Sequence, residues 1–258
     1  MSRRFAASSS LLLIMILVMI PSLITPVGAA PTPQGADTPA GIYRGVSTAV
    51  KFDISPPLRS ITPLVPQDSK PFEIPERGAG REGALGPQTA DAALQTSYGP
   101  ALIPTPSVSF DGPSNTSSVS PPDPVGDVGP SHYVAMSNLS FQIFNKSGTS
   151  VFGPALNNTL WAGFGGDCQT NNAGDPIVLY DQVSDRWMLS QFTSAGPTYY
   201  NCVAVSTTSD PTGSYYRWAF STGGNFPDYP KYGWWPDALY ISTREFAGGS
   251  TFVGVGAY

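Results

Sequence analysis

Short runs of apolar residues alternate with polar turns throughout the second half of the chain. In residues 172–192, an Asp-Pro pair precedes the apolar run IVLY, a polar turn follows, and a strand-like segment around Trp187 comes next. Clusters of Gly, Pro, Asn and Asp separate such runs, and no helical periodicity is visible. The pattern predicts an all-β fold for residues 108–258.

Three segments of this region align with one another. They are residues 125–148, 173–194 and 226–250, and each opens with an aspartate among Gly and Pro residues before it continues into a strand. A repeat of about 50 residues built from short strands is typical of propeller blades. The spacing predicts a partial β-propeller of about three four-stranded blades. A β-sandwich, which also has evenly spaced short strands, is the alternative.

The N-terminus has the pattern of an export signal. Arg3 and Arg4 precede the apolar run 11–20, and two prolines and the small residues at 28–29 follow. An apolar run of this length with proline behind it fits a cleaved signal better than a membrane span. We predict a signal peptide over residues 1–29, secretion, and no stable membrane span afterwards. An uncleaved anchor is the alternative.

Residues 30–107 differ in composition from the rest of the chain. They are rich in proline, contain four aromatic residues and show no strand or helix period. Such a segment buries too little apolar surface to offset its ordering entropy. It is predicted to be a mostly disordered linker or pro-region. One more apolar patch within it, residues 50–65, is predicted to lie across the folded domain as an ordered strap.

The cysteines and the charge narrow the classes of protein further. Cys168 and Cys202 are the two cysteines, and in an exported chain such a pair usually forms a disulfide; two free buried thiols are the alternative. Zinc is disfavoured, because His132 is the one histidine. The first 29 residues contain two of the 13 basic residues and none of the 18 acidic ones, which leaves a net charge of −7 beyond them. This acidity argues against nucleic acid as a partner, because phosphates need a basic face.

Four strings of the sequence resemble a family of secreted bacterial proteins related to sialidase-like, BNR-type β-propellers. They are PPDPVGDVGPSHYVAMSN, GDPIVLYDQVSDRWMLSQF, CVAVSTTSDPTGSYYRWAF and FPDYPKYGWWPDALYIST, and the resemblance covers residues 119–258. It implies export and a propeller, and little about chemistry. Because propellers close with about 4–8 blades, the sequence is expected to be a truncated part of a longer propeller.

Asp127, Asp175 and either Asp228 or Asp237 occupy corresponding places in the three repeats. As catalytic groups they would be the paired acids of a glycosidase, and with backbone carbonyls they would bind Ca²⁺. Recurrence in every repeat favours a third interpretation, in which each carboxylate accepts backbone N–H bonds in a turn. No catalytic residue is therefore assigned, and no cofactor is predicted beyond a possible calcium ion.

A sialidase-like reaction would need an arginine cluster and a Tyr/Glu pair. The folded region contains Arg186, Arg217 and Arg244, which are expected to be solvated and stacked on aromatic rings, and one glutamate, Glu245. His132 is expected at a strand edge. No Gly-x-Ser-x-Gly motif is present, which disfavours a serine hydrolase.

Residues 229–240 form a dense aromatic cluster, YPKYGWWPDALY. Because Tyr and Trp stack on sugar faces and anchor protein contacts, Tyr232, Trp234, Trp235 and Tyr240 are candidate ligand-binding residues. Packing between blades is the alternative. The sequence thus predicts a secreted recognition module with a glycan or protein ligand. The alternatives are a sialidase-like glycoside hydrolase and a truncated fragment without function.

Overall fold

The computed structural model describes residues 41–44, 47–66, 72–73, 94, 97, 99–100, 103–115 and 117–258. The predicted signal peptide, residues 1–29, and much of the predicted linker, residues 30–107, lie outside the described residues. Within the described ranges, no helix has the length and apolar character needed to cross a membrane.

The described residues form strands with very little helix, as the alternating pattern predicts. The strands are β1 (Gly41–Arg44), β2 (Ala49–Ile54), β3 (Phe72–Glu73), β4 (Val119–Ser120), β5 (Val125–Val128), β6 (His132–Ser137), β7 (Ser140–Asn145), β8 (Ser150–Leu156), β9 (Ile177–Asp181), β10 (Arg186–Phe192), β11 (Tyr199–Ser206), β12 (Tyr215–Gly223), β13 (Asn225–Trp235), β14 (Ala238–Ala247) and β15 (Thr251–Ala257). Two short 3₁₀ helices, η1 (Leu58–Ser60) and η2 (Asn157–Trp161), and one helical turn, α1 (Asp167–Thr170), connect them.

The strands form three larger sheets that follow one another along the chain. The first sheet has the order β5-β6-β7-β8, the second β2-β12-β11-β10-β9 and the third β1-β15-β14-β13, and β3 pairs with β4 separately. All pairings in the three larger sheets are antiparallel except that of β1 with β15. The all-β prediction is confirmed, and the four strands expected in the middle repeat are β9 to β12.

The first strands of successive sheets lie against one another, since β5 contacts β9 and β9 contacts β13. Apolar side chains at every second position of the strands point to one face. In this way Val134 and Met136 of β6 and Trp187 and Leu189 of β10 enter one core that joins the first and second sheets. A smaller core joins the second and third sheets; it contains Ala173, Phe192, Tyr199, Phe226 and Phe246.

The predicted disulfide is confirmed. Cys168 of α1 and Cys202 of β11 are bonded, with their Cα atoms 5.8 Å apart. Both residues are buried in the core between the first two sheets. The bond therefore ties the loop that connects these sheets to a central strand of the second sheet.

The predicted strap, residues 50–65, is ordered. Its first part is β2, which extends the second sheet by pairing with β12. Leu58 of η1 is fully buried in the larger core, and the N–H of Leu64 donates to Thr159 Oγ1 at 3.1 Å. The folded part of the chain therefore includes residues well before position 108.

Arg217 of β12 holds the strap to the second sheet. Its guanidinium donates to both carboxylate oxygens of Asp53 in β2, at 2.8 and 2.7 Å, and to the carbonyls of Leu160 and Ala162 at 2.9 and 3.0 Å. The expectation of a solvated arginine is wrong at this position, because the side chain is 1% exposed. The expected stacking on an aromatic ring is found, on Phe164.

Candidate functional site

Asp127 of β5 connects the first and second sheets. One carboxylate oxygen accepts the N–H of Val128, and the other accepts the N–H of Tyr180 in β9, both at 2.7 Å. Both oxygens are thus engaged by backbone donors, which agrees with the structural interpretation of this residue. The second donor, however, belongs to the neighbouring sheet and not to a local turn.

Asp175 connects the second and third sheets by hydrogen bonds of the same kind. Its carboxylate accepts the N–H of Tyr229 in β13 at 3.1 Å, and its own N–H donates to Asn138 Oδ1 at 2.7 Å. Burial, and after it the nearby carboxylates of Asp228 and Asp123, raise the pKa of Asp175 to about 6. The residue is a partly buried acid whose contacts join two sheets.

A residue of positive φ lies directly before a proline near the start of each sheet. These residues are Asp123, Asp175 and Tyr229, with φ of 38°, 44° and 50°. The side-chain amide of Asn138 donates to Asp123 Oδ2 at 3.0 Å and accepts from the Asp175 N–H, and Asp175 in turn accepts from Tyr229. A hydrogen-bonded chain therefore links the early parts of all three sheets.

Sequence reasoning missed Asp123, Asn138 and Tyr229 as parts of this chain of hydrogen bonds. The signal that could have found two of them is the X-Pro pair, which recurs at intervals of slightly more than 50 residues. Asn138 has no such signal, because its side-chain partners, Pro121, Asp123 and Asp175, come together only in the folded structure.

Asp237, one of the two acids considered for the third repeat, lies apart from Asp127 and Asp175. It lies in the turn between β13 and β14, and it accepts a hydrogen bond from the hydroxyl of Tyr240 at 3.0 Å. Asp228, next to Tyr229, is the acid near the start of the third sheet, where it pairs with Arg244 at 3.5 Å. Among the described residues, no group of three or more His, Cys, Asp or Glu could hold a metal ion.

The four candidate aromatic residues are divided between the two faces of the third sheet. In the β13–β14 register, Tyr232 is opposite Ile241 and Trp234 is opposite Leu239, whereas Gly233 is opposite Tyr240. Since side chains alternate between faces, Tyr232 and Trp234 share one face, and Trp235 and Tyr240 share the other. The four candidates therefore do not all share one face of the sheet, and their role in ligand binding stays a prediction.

Tyr232 and Trp234 are half-buried on the face opposite Trp235. The Tyr232 hydroxyl and the Trp234 indole nitrogen are buried, and burial raises the pKa of Tyr232. Because side chains alternate along a strand, the sequence positions 232, 234 and 235 already predict that the third residue lies on a different face from the first two. The position of Tyr240 could not be assigned without the strand register.

Trp235 and Tyr240 are directed outward. Trp235 is 71% exposed and Tyr240 is 49% exposed, and the hydrogen bond to Asp237 raises the pKa of Tyr240. An open groove of about 520 Å³ lies beside Tyr240, and its lining includes Lys231, Tyr232, Gly233 and Ser242. The outward face thus combines aromatic rings with an ammonium group, a carboxylate and a hydroxyl.

The groups expected of a sialidase-like site are dispersed. Arg186 donates to the carbonyls of Ser184 and Asp185, and Arg217 and Arg244 pair with different aspartates on different sheets. Glu245 does contact a tyrosine, because the Tyr258 hydroxyl lies 3.2 Å from its carboxylate. Glu245 is buried, however, and burial raises its pKa.

No protein-family model, curated protein or solved structure matches this chain.

Proposed function

We propose that this chain is an extracellular recognition module that binds a glycan through the outward face of β13 and β14. The observation that carries the proposal is the exposure of Trp235, which is 71% accessible on the same face as Tyr240. A large aromatic side chain left in water is unfavourable by roughly 1.5–3 kcal/mol relative to a buried one. Its cost is offset when a ligand with apolar faces covers it.

The polar groups around Trp235 and Tyr240 suit a sugar. Lys231 and Ser242 line the groove beside Tyr240, and Asp237 is hydrogen-bonded to its hydroxyl. Ligand sites combine apolar walls with a few placed polar groups that fix orientation. Hydroxyl groups of a glycan can both donate to the carboxylate and accept from the ammonium group, and its C–H faces can stack on the rings.

We propose further that the three sheets are blades of a β-propeller. The proposal is supported by three successive sheets in which the chain runs mainly as antiparallel meanders, and by the contacts of β5 with β9 and of β9 with β13. It is also supported by the X-Pro residues of positive φ near the start of each sheet. Membership of the sialidase-like family stays a prediction.

Secretion is supported by two independent features. The first 29 residues have the order of basic, apolar and small residues that signal peptides share. The Cys168–Cys202 disulfide is of the kind that forms and persists in oxidising compartments.

The hydrogen bonds and the burial of the acidic residues favour binding over hydrolysis. Asp127 and Asp175 accept backbone N–H bonds that join sheets, and Glu245 is buried. An acid pair of a glycosidase must instead flank a substrate. These contacts support a role of the acids in the fold.

A glycan array tests the proposal with the full chain and two variants. Trp235→Ala should weaken binding about tenfold or more, equivalent to about 1.4 kcal/mol, because it removes the stacking surface. Trp234→Phe is the matched control, since it changes the neighbouring tryptophan on the opposite face, which does not line the groove. Binding that survives Trp235→Ala unchanged contradicts the proposal, and release of reducing sugar from a bound glycan supports the hydrolase instead.

A further inference from the structure

β2 is the edge strand of the second sheet. It pairs with β12 on one side, and within the described ranges no strand pairs with its other side. An edge strand presents a row of unpaired backbone groups, and proteins usually protect such edges or use them for pairing.

The hydrogen bond directly after β2 shows which of its backbone groups point towards β12 and which point away. The N–H of Ser55, directly after β2, donates to the carbonyl of Tyr215 at 2.8 Å. Since the residues that bond to the partner alternate along an antiparallel strand, the backbone groups of Lys51 and Asp53 point towards β12. The backbone groups of Val50, Phe52 and Ile54 therefore point to the free edge.

The side chains of these three residues are also unusually exposed. Val50, Phe52 and Ile54 are 62%, 53% and 56% exposed, and they share one face of the strand. Phe52 packs beside Tyr216 and Trp218 of β12, with ring centroids 6.4 and 5.3 Å away. An exposed apolar row on an unpaired edge is a site where another strand is expected to add.

The sequence of β2 is complementary to itself. Around Phe52, the order Val50, Lys51, Phe52, Asp53, Ile54 is apolar, basic, apolar, acidic, apolar. In an antiparallel pair centred on Phe52, Val50 faces Ile54 of the other copy and Lys51 faces Asp53 of the other copy. Opposite charges directly across a pair stabilise it, whereas like charges destabilise it.

We infer that two copies of this chain associate through β2, with antiparallel pairing about a two-fold axis at Phe52. Such an interface uses the same patch on both copies. In this register Phe52 and the Val50–Ile54 pairs exchange backbone hydrogen bonds, and Lys51 and Asp53 occupy the closer, non-hydrogen-bonded positions. The charge pattern favours a second copy over an unrelated strand, because it places Lys51 opposite an acid, Asp53, whose side chain is still 33% exposed although it pairs with Arg217.

Cysteine cross-linking of the full chain tests both the association and its register. In the proposed pair, the Cα atoms of the two Phe52 residues are about 5.5 Å apart, within reach of a disulfide. Phe52→Cys should therefore form a covalent dimer when oxidised glutathione is added. The native cysteines do not interfere, because both are already in a disulfide.

Val50→Cys and Ile54→Cys are the matched controls. Neither variant alone should cross-link, since residue 50 of one copy is roughly 13 Å along the strand from residue 50 of the other copy. A mixture of the two variants should cross-link, because residue 50 of one copy faces residue 54 of the other. Efficient cross-linking of Val50→Cys alone overturns the register. A monomeric wild type in sedimentation together with no cross-linking of Phe52→Cys overturns the association. If the thiol introduced by Phe52→Cys is protected from a thiol reagent in that monomer, the edge is covered by another segment of this chain.

A charge variant tests the selection of partner. Lys51→Asp places two aspartates opposite each other in the pair and should lower the dimer fraction in sedimentation, whereas Lys51→Arg should retain it. Equal dimer fractions for Lys51→Asp and wild type overturn the charge argument.

Discussion

Asp175 joins two sheets through groups that approach it from both sides. Its N–H is held by Asn138, its carboxylate accepts from Tyr229, and Asp123 and Asp228 are close enough to raise its pKa. Burial is the largest cause of the pKa of about 6. The protonated form is therefore favoured by folding, and ionisation at neutral pH opposes it.

The raised pKa of Asp175 determines how this residue makes stability depend on pH. The folded pKa lies above the ordinary value of 3.8, so the contribution of Asp175 is fully present below pH 4 and is lost as pH rises through about 6. Asp175→Asn should remove this loss and raise the free energy of unfolding at pH 7 by about 1–2 kcal/mol, because asparagine can still accept from Tyr229. Urea unfolding of both proteins between pH 4 and 7 measures the difference.

Asp181 is a control residue, because its pKa is shifted in the opposite direction. The hydroxyl of Ser184 lowers the pKa of Asp181, so Asp181→Asn should reduce stability at neutral pH and lose this effect in acid. The same trend for both variants would contradict the assignment to Asp175.

At the scale of elements, the strap changes the second sheet from four strands to five. β2 covers the edge of β12, η1 places Leu58 in the core, and the Asp53–Arg217 pair joins the two strands. Because Arg217 is buried, its charge depends on Asp53 and the two carbonyls for compensation. The strap is therefore part of the fold and not a removable pro-region.

Removal of Asp53 tests this dependence. Asp53→Ala leaves a buried guanidinium without its carboxylate and should lower the free energy of unfolding by about 3–5 kcal/mol. Arg59→Ala is the matched control on the same strap, because it removes an exposed pair with Asp210 and should change stability by less than about 1 kcal/mol. Thermal unfolding compares the two, and similar values would contradict the role given to Asp53.

At the scale of the whole molecule, the disulfide is a long-range constraint on the unfolded chain. It closes a loop of 34 residues between α1 and β11, which corresponds to about 3–4 kcal/mol in the chain-entropy interpretation. Replacement of both cysteines by alanine should lower the free energy of unfolding by this amount, as measured in urea. A loss well below about 1 kcal/mol would show that the loop is already restricted without the bond.

The two proposed surfaces lie on different sheets. The outward face of β13 and β14 belongs to the third sheet, and the β2 edge belongs to the second. Pairing through β2 would give each dimer two glycan-binding faces, and binding to a surface with many glycans would then strengthen through avidity. Phe52 variants should therefore weaken binding to a dense glycan surface and leave binding to a soluble monovalent glycan unchanged.

The sequence by itself determined the local features of this protein. Alternation of apolar and polar residues predicted the strands, and the Cys168–Cys202 pair and the strap were predicted from composition. The turn at Asp210 is a local feature of the same kind, since its carboxylate accepts the N–H of Thr212 two residues later. These features depend on residues close in the chain or on a residue type with one usual partner, so their physical cause is visible in the sequence.

Only the tertiary structure decided which groups meet across sheets. Asp127 and Asp175 each accept a backbone N–H from a residue more than 50 positions away, and Arg217 is buried because a strap from the N-terminal part of the chain covers it. The register of β14 placed Tyr240 on the face of Trp235 and not on the face of Trp234. Strand register and the packing of sheets determine such contacts, because they depend on the fit of many side chains together and have no local pattern.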